Sequence, residues 1–321
     1  MSDKLKIVFM GTPEFAVASL DALIQNNYDI VGVVTVPDKP AGRGQKIQMS
    51  AVKEYALKHN LKILQPINLK DEKFLNELKN LKADLQIVVA FRMLPELVWN
   101  MPPLGTFNLH GSLLPKYRGA APINWAVING DTETGVTTFK LSHEIDTGSI
   151  LFQEKVKLDD TTTAGELHDE LMKIGAELIV RTVKAIDDSR HGKPLNYIKQ
   201  DDKLATHAPK LFKDTCKIKW DQPLRKIYDH VRGLSPYPTA FTEFVDANGQ
   251  TQTLKIFKAV MIANAGNAPK GSVDTDNKTY ININCADGIL QLIELQLQGK
   301  KRMGVKEFLN GYKFAEGTLL K

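Results

Sequence analysis

The N-terminal part of the chain alternates between two hydrophobic periods. LKIVFM (5–10), DIVGVVTV (29–36) and LQIVVAF (85–91) are short apolar runs rich in Val and Ile. Between them, FAVASLDALIQ (15–25), SAVKEYALKHN (50–60) and KFLNELKNL (73–81) carry apolar residues at helical spacing. Apolar runs of strand length suit strands buried on both faces, and the helices between them are the crossovers that parallel strands require. The pattern predicts an α/β fold built on a Rossmann-like, mostly parallel sheet. Such sheets bind ligands beyond the C-terminal ends of their strands. GTPEF (11–15), PDKPAGRGQK (37–46), FRMLP (91–95) and HGSLLP (110–115) all fall at such ends, so four glycine- or proline-marked loops should line one cleft.

Further along, GVTTFKLS and ILFQEKVKL alternate in strand fashion around HEIDTG, as an edge hairpin would. An amphipathic helix follows, with Leu167, Leu171, Ile174 and Leu178 on one stripe. We read 1–189 as a catalytic domain, the polar stretch 190–208 as a linker, and 209–321 as a second domain. In the second, DQPLRKIYDHVRGL is helical and stops at Ser235-Pro236, and several short strands are separated by Gly, Asn and Asp turns. That pattern predicts a small, OB-like β-barrel.

Charge divides unevenly. Residues 207–321 hold 17 Lys and Arg against 11 Asp and Glu, while the first 206 hold 25 against 26. The basic balance of the C-terminal third suits a polyanionic partner, or simply a soluble basic surface. No apolar run is long enough for a membrane helix, and the start lacks the layout of a signal peptide. Cys216 and Cys285 stand apart, with no CxxC and no nearby His pair, so neither a disulfide framework nor a zinc site is expected; a reducing cytoplasm fits.

The segment TFNLHGSLLPKYRGAAP (106–122) concentrates the chemistry. Asn108 and His110 are two apart, so on a strand both point to one face. Asp146, in HEIDTG, supplies a carboxylate; its bland alternative is an Asx-turn residue. An aspartic protease would need a second DTG, and none occurs. GTPEFA is neither GxGxxG nor a P-loop, which leaves NAD and ATP readings little support. Its structural reading is a tight turn with Thr12 as N-cap and Pro13 at the first helical position. The loop PDKPAGRGQKIQ, with Lys39, Arg43 and Lys46, reads equally well as a solvated loop or as a basic finger that orders on a phosphate backbone.

Together these segments resemble the folate-dependent formyltransferases. The resemblance rests on FMGTPEFAV (9–17), VPDKPAGRGQKI (36–47), ADLQIVVAF (83–91), FNLHGSLLPKYRGAAPINWAVINGDTETGVTTFKL (107–141) and IDTG (145–148). In the C-terminal part it rests on HAPKL (207–211), KIKW (217–220) and IYDHVRGLSPYP (227–238), so it spans essentially the whole chain. GTPEFAV with PDKPAGRG is similar to the branch that formylates the methionine carried by initiator tRNA, or to its sugar-formylating relatives. The chain departs from the pattern at Phe91-Arg92, where an aromatic and Gly are usual, and at Ala51 and Lys116-Tyr117-Arg118.

The resemblance implies a formyltransferase fold and an enzyme that moves the formyl group of 10-formyltetrahydrofolate to the α-amine of methionyl-initiator tRNA. It implies that Asn108 and His110 stabilise the oxyanion and protonate the leaving nitrogen. Asp146 would orient His110, raise the imidazole pKa and assist proton transfer. It places folate against Phe91, Arg92, Met93, Leu94, Ser112, Leu113, Leu114 and Pro115, and tRNA against Lys39, Arg43, Lys46 and Lys210. It implies a cytoplasmic monomer that needs no metal. Three rivals stand beside it: a formyltransferase acting on an amino sugar nucleotide or glycinamide ribonucleotide, a non-catalytic RNA-binding protein, and an aminoacyl-tRNA synthetase. The last lacks HIGH- and KMSKS-type signatures.

Overall fold

A computed structural model describes residues 4–41, 46–262 and 268–321. In chain order the elements are β1 (Lys6–Gly11), α1 (Glu14–Gln25), β2 (Asp29–Val34), β3 (Lys39–Ala41), β4 (Lys46–Gln48), α2 (Ala51–Lys58), β5 (Ile63–Leu64), α3 (Glu72–Asn80), β6 (Leu85–Val89), α4 (Glu96–Trp99), β7 (Thr106–His110), β8 (Arg118–Gly119), α5 (Pro122–Ile128), β9 (Glu133–Lys140), β10 (Ile150–Lys157) and α6 (Ala164–Ser189). They continue with β11 (His207–Ala208), α7 (Leu224–Gly233), β12 (Ala240–Val245), β13 (Thr251–Ile262), β14 (Val273–Asp274), β15 (Asn282–Asn284), β16 (Ile289–Leu297), β17 (Met303–Gly304) and α8 (Val305–Gly311). The chain forms two compact units. One comprises Met1–Gly119, Thr134–Val156 and His168–His207; the other comprises Ala120–Glu133, Lys157–Leu167 and Ala208–Lys321.

The first unit is built on a seven-stranded sheet of order β10-β9-β7-β6-β1-β2-β5. β2, β1, β6 and β7 pair in parallel, as do β2 and β5. β1 and β6 are buried almost throughout, which is why they read as continuous apolar runs. The chain winds outward from β1 through β2 to β5, then returns to place β6 on the other side of β1. The strand order therefore reverses between β1 and β6, the kind of crevice where open α/β sheets take ligands. Gly11 closes β1 at that point: a Cβ there would lie 2.6 Å from the Ala16 Cβ and 3.0 Å from the Val89 carbonyl oxygen.

The turn into α1 differs from expectation. Pro13 occupies the N-cap with extended backbone (ψ 178°), the helix begins at Glu14, and no side chain caps it, so Thr12 is not the cap. Later helices start conventionally: Ser50 Oγ accepts from the Lys53 N–H and Asp71 Oδ1 from the Phe74 N–H. On α6, Leu167, Leu171 and Leu178 are buried and Ile174 partly so.

The second unit carries an antiparallel sheet of order β12-β13-β16-β15-β14, with β17 on β16. Leu254, Ile256, Leu290, Leu292 and Leu295 of its two long strands are buried and pack with Ile227 and Val231 of α7, the inward alternation of β16 breaking once between Leu292 and Leu295 where its register with β13 shifts. Its edge strands are joined by the last residues described. Lys321 and Glu243 of β12 exchange backbone hydrogen bonds, while Leu320 N–H donates to Gly271 O and Val273 N–H of β14 donates to Thr318 O. The sheet thereby acquires the covered edges that a small barrel needs.

Candidate active site

β7 lies inside the sheet, pairing with β6 on one side and antiparallel with β9 on the other. Leu109 points to one face and meets α6 at Gly175, where an added Cβ would come within 2.7 Å of its methyl group. Asn108 and His110 therefore share the opposite face, as their spacing predicts. Asn108 is partly exposed, and no side-chain hydrogen bond engages its amide among the described residues. His110 is buried, with Nε2 2.8 Å from the Tyr117 carbonyl oxygen. A carbonyl only accepts, so Nε2 carries the hydrogen and Nδ1 is the nitrogen left for other partners.

The loop after His110 holds itself by side-chain bonds to its own backbone. Ser112 Oγ donates to Lys116 O, and Thr137 Oγ1 of β9 donates to Ser112 O and accepts from the Leu114 N–H. Gln153 Nε2 of β10 donates to Leu114 O and Thr137 Oγ1. Ser112 and Leu114 are buried in this loop, whereas Leu113 and Pro115 are partly exposed. Tyr117 sits at φ 61°, in the left-handed region.

Asp146 arrives by a path that the motif spacing does not suggest. β9 runs antiparallel to β7 and leaves it at the far end, where the Leu141 N–H bonds to Thr106 O. Four residues along a strand is about 13 Å. To reach His110, the 141–149 loop must climb back over the face that carries Asn108. It is fastened low down by His143, edge-on to Trp99 with centroids 5.3 Å apart. It turns through Asp146 at φ 57°. Gly148 lies so close to β9 that a Cβ would stand 1.7 Å from Lys140 O. The Asp146 carboxylate accepts from the Gly119 N–H at 2.9 Å and ends 3.8 Å from His110 Nδ1. That gap is too long for a direct hydrogen bond, so both groups can face a third atom.

One residue of the supporting set escapes local sequence reading. Gln200, from the stretch read as a linker, is 6% exposed and donates from Nε2 to Asp146 O (2.9 Å) and Gly148 O (2.8 Å). Its Oε1 accepts from Arg118 Nε and Nη2 at 3.1 and 2.8 Å, and Arg118 also pairs with Asp202. The same stretch pairs Ile198 with Ile150 at the start of β10. A polar residue among polar neighbours gives no periodic signal that it is buried.

Beyond β6, Ala90 takes a left-handed φ of 47° and the FRMLP loop begins. Phe91 and Leu94 pack on the core beneath it, and Met93 is exposed. Arg92, at the unusual position, is partly buried and folds back on the chain: its guanidinium donates to Ile67 O at 2.8 Å and to Pro66 O. Burial draws its pKa below the ordinary guanidinium value. Arg92, Met93, Pro95 and Leu97 line a cleft of about 610 Å³ with Ile67 and Lys70.

Among the basic residues, Lys39 is exposed on β3, which pairs antiparallel with β4 so that the flanks of this loop form a hairpin beginning and ending at Lys39 and Gln48. Lys46 opens β4, and Arg43 lies outside the described residues. Just before the hairpin, Asp38 is held by Lys53 (2.5 Å) and Gln65 (2.8 Å), which keep its carboxyl below the usual range. Lys210, in the second unit, is exposed, with its ammonium 5.7 Å from the Phe212 ring centroid. No helix among the described residues is long and apolar enough to cross a membrane.

Residues 5–183 match the model of the formyl transferase family and 210–313 that of the formyl transferase C-terminal domain. The chain belongs to the formyl transferase family. It is 57% identical to a protein of Parabacteroides distasonis named methionyl-tRNA formyltransferase, over 99% of each chain. It is 53% identical to one of the same name from Flavobacterium johnsoniae, over 98% of each. Among solved structures, WlaRD, a sugar 3N-formyl transferase crystallised in the presence of dTDP and 5-N-formyl-THF, superposes with a TM-score of 0.65 at 22% identity, covering 94% of this chain and all of that one. HypX from Aquifex aeolicus, in complex with tetrahydrofolic acid, gives 0.63 at 16% identity, covering 98% of this chain and 49% of that one. At these identities the likeness speaks for the fold.

Proposed function

We propose that the protein transfers the formyl group of 10-formyltetrahydrofolate to the α-amine of methionine esterified to initiator tRNA. The observation that carries this is the approach of Asp146 to His110 Nδ1 at 3.8 Å, over the strand face where Asn108 presents an unengaged amide. The near full-length relatives named for this activity support the acceptor. A free α-amino group has a pKa near 7.7–8.0, and esterification of the adjoining carboxyl lowers it, so much of the acceptor is already neutral at pH 7. The amine attacks the formyl carbon, the new C–N bond forms, and the carbonyl electrons move to oxygen. Asn108 donates to that oxyanion; one such donor is worth roughly 10²–10³ in rate. Collapse expels folate N10. The amine gives up one proton to Asp146, and N10 gains one delivered through His110 Nδ1, so the proton count balances. Acid–base help of this kind adds roughly 10²–10⁴.

Folate is assigned to Phe91, Arg92, Met93, Leu94, Ser112, Leu113, Leu114 and Pro115. Ser112 and Leu114 contribute by shaping the loop, because their side chains are buried within it. Arg92 contributes by tying its own loop to Pro66 and Ile67. The acceptor tRNA is assigned to Lys39, Arg43, Lys46 and Lys210, with phosphate contacts supplying salt-sensitive affinity. Residues 1–189 carry the chemistry, 190–208 connect and also brace the Asp146 loop through Gln200, and 209–321 support the tRNA; the protein works as a cytoplasmic monomer without a metal.

The test is to incubate the purified protein with 10-formyltetrahydrofolate and methionine-charged initiator tRNA and to assay formylmethionine. Formation of formylmethionyl-tRNA is expected. Transfer to an amino sugar nucleotide or glycinamide ribonucleotide in its place, or to no amine at all, overturns the proposal.

A further inference from the structure

The 141–149 loop is shaped against its own preferences. Asp146 is a non-glycine residue in left-handed backbone, and Gly148 is pressed against β9 with no space for a side chain. Such geometry persists where its surroundings over-determine it. Gln200 supplies two of the fastenings, one to the carbonyl on either side of Thr147, and is itself gripped by Arg118. Its neighbour in the chain, Asp201, is exposed, so burial of Gln200 is specific to that side chain. The chemistry selects a carboxamide: its N–H₂ donates to both carbonyls while its oxygen accepts from the guanidinium. Glutamate would set a carboxylate against two carbonyl oxygens, and methionine would fill the space without donating.

We propose that Gln200 is a positioning residue for formyl transfer, holding the Asp146 carboxylate opposite His110 through the backbone of the loop between them. This rests on the formyl-transfer reading above. Gln200 touches no reacting group, so its effect must pass through Asp146.

The test compares Gln200→Met and Gln200→Glu in the wild-type and Asp146→Asn backgrounds. Misplacing a reacting group by about 1 Å costs up to about 10²-fold, so kcat should fall roughly 10- to 100-fold in both variants, with KM for charged tRNA and for the folate within about twofold. In the Asp146→Asn background, adding Gln200→Met should cost less than about threefold, because coupled residues are not additive. An activity-independent reading comes from exchange of the Gly119 amide, which donates to the carboxylate. Exchange should quicken roughly tenfold in Gln200→Met while β1 amides hold their rates. Wild-type kcat in Gln200→Met, an undiminished penalty in the Asp146→Asn background, or unaltered Gly119 exchange overturns the proposal. A wild-type protein that makes no formylmethionine defeats the transfer reading instead, and the Gly119 exchange then still decides whether Gln200 holds the carboxylate.

Discussion

The imidazole of His110 is tethered through Nε2 to the carbonyl oxygen of Tyr117 at 2.8 Å. Tyr117 is itself in left-handed backbone, and its N–H donates to Thr206 Oγ1. The tether sets the tautomer of the neutral ring and aims Nδ1 at Asp146, so any proton that His110 moves must pass through Nδ1.

This allows one substitution to separate folding from chemistry. The amide nitrogen of His110→Gln can take the place of Nε2 and keep the bond to Tyr117, so the melting temperature should stay within a few degrees. It leaves nothing at Nδ1, so kcat should fall roughly 10²–10⁴-fold. Single-turnover formylation with calorimetry on the same sample checks both; near-normal turnover would place the chemistry elsewhere.

Gly148→Ala should damage both the loop and the chemistry. The methyl group would fall 1.7 Å from Lys140 O, so the loop must move away from β9 and take Asp146 with it. Overpacking of this kind costs roughly 1–3 kcal/mol. Denaturant unfolding should show that loss, and kcat should drop at least as far as in Gln200→Met. A variant with wild-type stability and turnover would mean the loop has slack that the geometry denies.

Stability should also depend on pH through His230 in α7. Its Nε2 is buried without a hydrogen-bond partner among the described residues, and burial holds its pKa below the ordinary histidine value, with nearby Lys219 adding to the effect and a hydrogen bond to the Cys216 backbone opposing it. The unfolded chain therefore binds this proton at a higher pH than the folded one. The stabilisation is complete above about pH 6.5 and is lost as pH falls toward the lower folded value, by no more than about 1.4 kcal/mol per pH unit. His230→Asn keeps a donor near the other ring nitrogen but cannot titrate. Chemical denaturation at pH 7.5 and 5.5 should show a smaller loss in the variant than in the wild type.

Charge reversal of the exposed lysines separates acceptor binding from chemistry. Lys39→Glu and Lys210→Glu should each raise KM for charged tRNA and reduce the steepness of its salt dependence by about one phosphate contact. Single-turnover kcat at saturation should hold. If KM and its salt slope do not change, neither lysine meets the tRNA backbone.

What could be read in advance follows physical range. Buried parallel strands announce themselves because every position along them is apolar, and the four loops beyond β1, β2, β6 and β7 follow from strand direction alone. Asn108 and His110 share a face because strand periodicity is local. The Thr12 cap failed by one residue, because extended backbone at Pro13 delays the helix to Glu14. The route of Asp146 depends on the register of β9 against β7, which no spacing encodes. Gln200 is 54 residues from the carbonyl it supports, and a single long-range hydrogen bond leaves no pattern behind.

The climb of the 141–149 loop makes that loop a ruler. Its lower end is fixed where Leu141 leaves β7, and the distance it must measure is the span from Thr106 up to His110. With the loop pinned again at Gly148 and Ser149 against Lys140, one residue more or less would shift the carboxylate by up to about 3.8 Å, about as far as the gap it now keeps. Ordinary surface loops lengthen and shorten freely; here residue count should be harder to change than residue type.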